Sequence, residues 1–331
     1  MRLSLAACLP EAGPVFARSS KSADARNGCS YIQAMNTEPL RHALDRFTHD
    51  AAATSGRPAS VMAGVHAIRF DSPTALIHDV YRPLVCLVAQ GSKRVTSGGT
   101  STVFGAGESL LVASDVPTVS QVLEAGRTAP YLSIVVELDA AILADLADCA
   151  PAASPLATSA VRVTPTEAQM ADAMTRLLAL TDRPDGLRAL GPGIVRELHY
   201  WVLAGRHGGA VRALGMPGSH AERIARAVAL LRRDFAGAIS VERLANEAGM
   251  SASSFHDHFR RQTSLTPVQF QKQLRLVEAR RRMLADGASA SSAAFGVGYE
   301  SISQFTRDYR RLFGAPPLRE TRAARDRVAA A

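Results

Sequence analysis

The chain has 331 residues, 47% of them apolar and 21% charged, which is material for two globular domains with real cores and excludes a wholly disordered protein. No run approaches the ~18 apolar residues of a membrane-spanning helix, and the four cysteines (Cys8, Cys29, Cys86, Cys149) form no CxxC, which argues against a zinc ribbon or a disulfide framework and fits a reducing cytosol. The net charge of +8 is one-sided: residues 1–218 carry 19 basic and 19 acidic side chains, whereas residues 219–331 carry 19 basic and 11 acidic. A neutral part joined to a basic part is the electrostatic outline of a regulator with a separate nucleic-acid-binding module, although a basic surface suits a membrane or an acidic protein as well.

Residues 1–34 mix Ser, Ala and Arg without periodicity. Their apolar start meets Pro10 and Glu11 at once, so the expectation is a disordered leader and no signal peptide. A helical pattern opens at Met35. From about residue 60 to 138 the pattern is strand-like: "VMAGVHAIRF", "TALIHDV", "LVCLVAQG", "KRVTSGG", "ESLLVASDV" and "YLSIVVEL" follow one another at short intervals. Turn signals such as Ser97-Gly98-Gly99 and Gly105-Ala106-Gly107 separate them. Many short strands with regular turns predict a sandwich or small barrel within residues 35–140. "GGTSTVFGAGESLLV" reads as a hairpin, and Cys86 as a small buried hydrophobe.

After Leu138 the period turns helical. "DAAILADLADCA" is a short helix capped by Asp139, and 151–160 is a loop. "TPTEAQMADAMTRLLAL" starts with Thr164 as N-cap, Pro165 at the first helical position and Glu167 three residues after the cap. Its Met170, Met174, Leu177 and Leu178 share one face, and "GIVRELHYWVLAG" is a second helix. Helices in this 141–205 region either pack on the barrel or pair two copies of the chain. The Gly-rich segment 206–220 marks a linker to a helical domain at 221–325.

Two segments of that domain share one plan. In "ISVERLANEAGMSASSFHDHFRRQTSLTP", Ser240 caps a short helix, Gly249 ends it, and Ser251 caps a second helix whose Phe255 and Phe259 bury. The opposite face carries Ser253, Ser254, His256, Asp257, Arg260 and Arg261. In "SASSAAFGVGYESISQFTRDYRRLFGAPP", Gly298 makes the turn, Ser301 caps, Phe305 and Tyr309 anchor, and Gly314 with Pro316-Pro317 stops the helix. Ser303, Gln304 and Arg307 lie on its exposed side, with Arg310 and Arg311 one turn later. These are helix-turn-helix patterns at about 240–262 and 289–314. A helix starting at Pro267, about 27 Å long, joins them and suits two recognition helices one duplex turn apart.

Here the sequence resembles the AraC/XylS family of transcription regulators. "LANEAGMSASSFHDHFRRQTSLTPVQFQKQLRLVEARRRML" and, more specifically, "AAFGVGYESISQFTRDYRRLFGAPP" carry the likeness over the last third of the chain. "YRPLVCLVAQGSKRV", "FGAGESLLVASDVPTVSQV" and "PYLSIVVELD" resemble, more loosely, the subgroup with a cupin-like effector domain. The resemblance implies an α+β protein: an N-terminal cupin-like β-barrel with a helical appendage, then an all-α domain of two helix-turn-helix units on a long helix. It implies a cytoplasmic, nucleoid-associated activator that binds promoter DNA, with an unknown small-molecule effector, RNA polymerase and a second copy of the chain as further partners. Base-reading positions fall on Ser253, His256, Asp257, Ser303, Gln304 and Arg307, and phosphate contacts on Ser254, Arg260, Arg261, Arg310 and Arg311. Arg307 leads, since an arginine bonds two acceptors of one guanine. Asp257 departs from the family pattern, because an acid is repelled by phosphate unless it accepts from cytosine N4.

Other chemistries find less support. His256 and His258 are two apart on a helix and point away from each other, so they do not share a metal. His66 and His78 stand at unrelated positions of the β region, and "GAGES" lacks the lysine of a phosphate loop. The expectation is no catalytic residue, no cofactor and no metal. A cupin-type enzyme fused to a DNA-binding domain and an architectural DNA binder are the alternatives.

Overall fold

The computed structural model describes residues 37–50, 58–150 and 161–322. The expectations for residues 1–34 and for the loop at 151–160 lie outside the described residues. Helix α1 (Glu38–Asp50) precedes strands β1 (Ala59–Met62), β2 (Val65–Phe70), β3 (Ile77–Tyr81), β4 (Leu84–Gln90), β5 (Ser92–Ser97), β6 (Thr100–Gly105), β7 (Glu108–Val112), β8 (Val116–Glu124) and β9 (Tyr131–Glu137). Then come α2 (Ala140–Leu146), β10 (Val161–Pro165), α3 (Ala168–Ala179), α4 (Pro184–Ala204) and α5 (Gly208–Gly215). The chain continues as α6 (His220–Asp234), α7 (Val241–Ala248), α8 (Ala252–Thr263), α9 (Pro267–Ala285), α10 (Ala290–Gly296) and α11 (Ile302–Phe313).

The strands form two antiparallel sheets, one in the order β1-β2-β9-β4-β7-β10 and the other β3-β8-β5-β6. Strand β4 shows why its sequence is an unbroken apolar run. Val85, Leu87 and Ala89 face one core, formed with α1, α2, α3, α4 and α5, while Leu84, Cys86 and Val88 face the core between the two sheets. A central strand covered on both faces needs apolar residues at every position.

The observed elements differ from expectation where polar or small residues disguise a pattern. Strand β8 has no counterpart among the expected strands, because two of its inward positions are Thr118 and Ser120, which hide an otherwise regular alternation. Thr164 caps no helix: it pairs with Ser109 in β10, where Val161 and Val163 favour a strand, and Glu167 stands at the start of α3. The turn at Gly105–Gly107 carries the chain from one sheet to the other, so β6 and β7 are not a hairpin. Helix α4 begins nine residues before Gly193 and runs through Pro192.

Two readings of the 141–220 region change. Met170, Met174, Leu177 and Leu178 are at most 1% exposed within a single chain, so the apolar face of α3 is covered within the chain, in a core shared with α1, α4 and the six-stranded sheet, and is not open to a second copy. The segment 206–220 is not an open linker. Most of it is α5, with Val211 and Leu214 buried. Its glycines permit close approach: a Cβ on Gly215 would lie 2.6 Å from the backbone nitrogen of Ala144 in α2.

Candidate functional site: a nucleic-acid interface and a barrel cavity

The first helix-turn-helix unit is α7, a left-handed Gly249 at φ +62°, and α8. Ser240 Oγ accepts from Arg243 N, and Ser251 Oγ from Ser254 N, so each helix starts with one of its orphan amides satisfied. Phe255 and Phe259 are fully buried, and Phe259 meets Phe270 of α9 edge-on at 5.5 Å. That seats α8 with its other face outward. Ser253, Asp257, Arg260 and Arg261 are exposed, and Ser254 and His256 half-buried.

The second unit repeats this. Ser301 Oγ accepts from Gln304 N, Phe305 and Tyr309 are fully buried, and Gly314 closes α11 at φ +81°. Ser303, Gln304, Arg307, Arg310 and Arg311 are exposed. Tyr309 donates to Glu320 at 2.6 Å, and Glu320 takes two hydrogen bonds from Arg280 of α9. Burial, with Glu320 beside it, holds the Tyr309 hydroxyl well above the usual tyrosine range.

Between the units, α9 is a 19-residue rod, ~28 Å long, opened by a Thr266–Gln269 capping box and Pro267. The basic side chains are not equivalent. Among the described residues, Arg260, Arg261, Arg307 and Arg310 make no side-chain hydrogen bond or ion pair. Arg311, in contrast, holds Asp308 at 2.7 Å. Asp308 is the functional-region residue that spacing does not reveal: it is buried, and Lys272 of α9 reaches it at 3.0 Å. Its only sequence signal is an acid at i−3 from Arg311. His258 stacks on His220 at 3.7 Å and does not meet His256 across the helix. Among the described residues no cluster of His, Cys, Asp or Glu could hold a metal.

The β domain contributes a cavity of about 560 Å³. Ile68, Phe70, Leu84, Cys86, Phe104 and Leu110 supply apolar wall. Lys93 is its buried cation, 8% exposed, with Nζ donating to Tyr81 Oη at 3.0 Å and no carboxylate within ion-pair distance among the described residues. Strand β3 forms the wall nearest the helical domain. Ile77, Asp79 and Tyr81 line the cavity; Val80 joins the core of the first helix-turn-helix unit, and His78 meets the ring of Phe313 at the end of α11. Arg232 of α6 also lines the cavity: it bonds Asp115 at 2.6 Å and the carbonyl of Val80 at 2.9 Å. Burial pushes the Asp115 carboxyl above its ordinary range against the pull of Arg232. Ser114 donates to the carbonyl of Gln262 in α8 at 2.9 Å.

Residues 61–210 match the family model of the AraC-type transcriptional regulator N-terminus, and residues 244–323 match a helix-turn-helix domain model. The chain is 35% identical over 104 residues to the HTH-type transcriptional activator RhaS of Escherichia fergusonii, a match covering 31% of this chain and 37% of RhaS. Its fold is similar to that of a point variant of ToxT from Vibrio cholerae in its apo form (TM-score 0.54, 9% identity, 78% of this chain and 97% of that one). It is similar likewise to wild-type ToxT with an unsaturated fatty acid bound (TM-score 0.53, 9% identity, 78% of this chain and 93% of that one). The chain thus spans little more than a third of the length of the curated relatives it matches.

Proposed function

We propose that this chain, which matches AraC-type N-terminal and helix-turn-helix models, is an AraC-type sequence-specific DNA-binding regulator, an activator whose barrel cavity receives a small-molecule effector. The observation that carries this is the pair of capped helix-turn-helix units joined by one helix, each presenting an exposed polar face, with Arg260 and Arg261 on the first and Arg307 and Arg310 on the second unengaged among the described residues. On this reading Ser253, His256, Asp257, Ser303, Gln304 and Arg307 meet base edges, and Ser254, Arg260, Arg261, Arg310 and Arg311 meet phosphates. Arg311 does so with one edge of its guanidinium already held by Asp308.

The cavity binds its ligand without turning it over. An apolar wall with one under-partnered buried ammonium suits an apolar molecule carrying an acid group. The fatty acid bound by ToxT supports that choice by analogy of fold. Promoter DNA and RNA polymerase are the macromolecular partners in the cytoplasm, at the nucleoid. A second copy of the chain would have to use a surface other than the covered face of α3; Leu190 and Met216 are large apolar residues left exposed. No helix of the described residues is long and apolar enough to cross a membrane.

The test is a band-shift titration on the promoter beside the gene. Arg307→Ala is expected to weaken binding by about 1–3 kcal/mol and to relax preference at one base pair. Equal affinity of wild type and variant for every duplex would remove Arg307 from the reading surface.

A further inference from the structure

Two recognition helices read one site only if their relative placement is fixed. One base pair of duplex is ~3.4 Å and about 35° of rotation, so a small error in that placement moves a half-site out of reach. Building on the two-helix DNA reading above, the question is what fastens the second unit to the first.

The fastening converges on Arg275, in the middle of α9. Its Nε donates to the carbonyl of Phe235 at 2.7 Å, and its Nη2 to those of Ala236 at 3.2 Å and Gly237 at 2.9 Å. Its Nη1 donates to the carbonyl of Gly298 at 3.0 Å. The first three carbonyls belong to the C-cap of α6 and the two residues after it, next to the helix C-terminus, where the helix dipole favours a cation. The fourth is the turn of the second helix-turn-helix unit. One guanidinium therefore ties the scaffold of the first unit to the turn of the second.

Three neighbours make the same joint. Gln271, one turn earlier, donates to the carbonyls of Phe235 at 2.9 Å and Gly237 at 2.7 Å. Gly298 presses on Ala236 so closely that a Cβ would stand 1.9 Å from its carbonyl oxygen. Phe235 packs against the hydrophobic cores of both units. Among the described residues no carboxylate lies within ion-pair distance of Arg275; its hydrogen-bond acceptors are carbonyl oxygens, with Glu300 acting on its charge at longer range. Half-buried and engaged on both edges, it is not available to phosphate. Only a planar fork with five fixed donors reaches all four oxygens; a lysine ammonium does not.

We propose that Arg275 is a positioning residue that fixes the rotational phase of the second recognition helix against the first, and so sets the half-site spacing the protein accepts.

The experiment uses the full chain. A reference duplex is selected by the wild type from a random pool. Kd is then measured for that duplex and for versions with one base pair inserted or deleted between the half-sites, using wild type, Arg275→Ala and Arg275→Lys, with Tm alongside. The wild type is expected to lose at least tenfold on the shifted duplexes, and both variants less than threefold. A merely structural role would lower Tm and weaken all duplexes together, leaving the spacing penalty intact; an intact penalty in the variants overturns the proposal. Arg275→Lys, which keeps charge and stem, carries the measurement if Arg275→Ala does not fold. A wild type that selects no bipartite site overturns the two-helix reading itself, and this inference with it.

Discussion

Arg307 and Arg311 lie four residues apart on α11, yet their surroundings differ. Arg307 is exposed and unengaged, so it can meet a base edge without first breaking a bond. Arg311 steadies the buried Asp308, which Lys272 also reaches. Caps and turns at this scale were legible, because Ser240, Gly249, Ser251, Ser301 and Gly314 act on residues within one helical turn. Arg275 and Asp308 were not, because the partners of Arg275 lie up to 40 positions away and Asp308 meets Lys272 across 36. His207 yields a prediction of its own. It is buried beside Ser109 and Thr164, and burial, with Arg162 nearby, pulls its pKa from 6.5 to about 4. The unfolded chain takes up that proton near pH 6.5 and the folded chain only near pH 4. The stabilising contribution is therefore full above pH 6.5 and is lost as pH falls through that window, by up to about 3 kcal/mol. Urea midpoints at pH 7.5 and 4.5 should differ less for His207→Gln than for wild type; an unchanged difference would place the slope in other groups.

Strand β3 and the turn at Gly298 show how elements connect the parts. Along β3, Ile77, Asp79, Val80 and Tyr81 line the cavity, while Val80 also joins the core of the first helix-turn-helix unit and His78 meets Phe313 of the second. A ligand that shifts Tyr81 or Asp79 would thereby move a strand on which the helical domain rests. The sequence makes β3 visible as a strand, but not that its second face is covered by helices from far along the chain. β8 was hidden by its inward Thr118 and Ser120, and α5 by a glycine content that serves close packing. At Gly298, φ +87° and the contact with Ala236 act together. Gly298→Ala should destabilise the helical domain by ~3 kcal/mol, read by far-UV circular dichroism in urea. A loss under ~1 kcal/mol would mean that the joint between the units yields easily.

At the scale of the molecule, the neutral part and the basic part meet, among the described residues, through the ion pair of Arg232 with Asp115. The pair is partly buried and better suited to fixing an arrangement than to adding stability. With Ser114 on α8 and His78 against α11, the β domain touches both units that are proposed to read DNA. The charge asymmetry and the repeated helix-turn-helix plan were readable from composition and spacing alone; this docking was not, since no local pattern encodes it. Selection of duplexes from a random pool by the full-length protein tests the central claim most directly. The account predicts enrichment of one bipartite site with half-sites about one helical turn apart, bound with an affinity that falls steeply with salt. A pool that remains random after repeated rounds would contradict it.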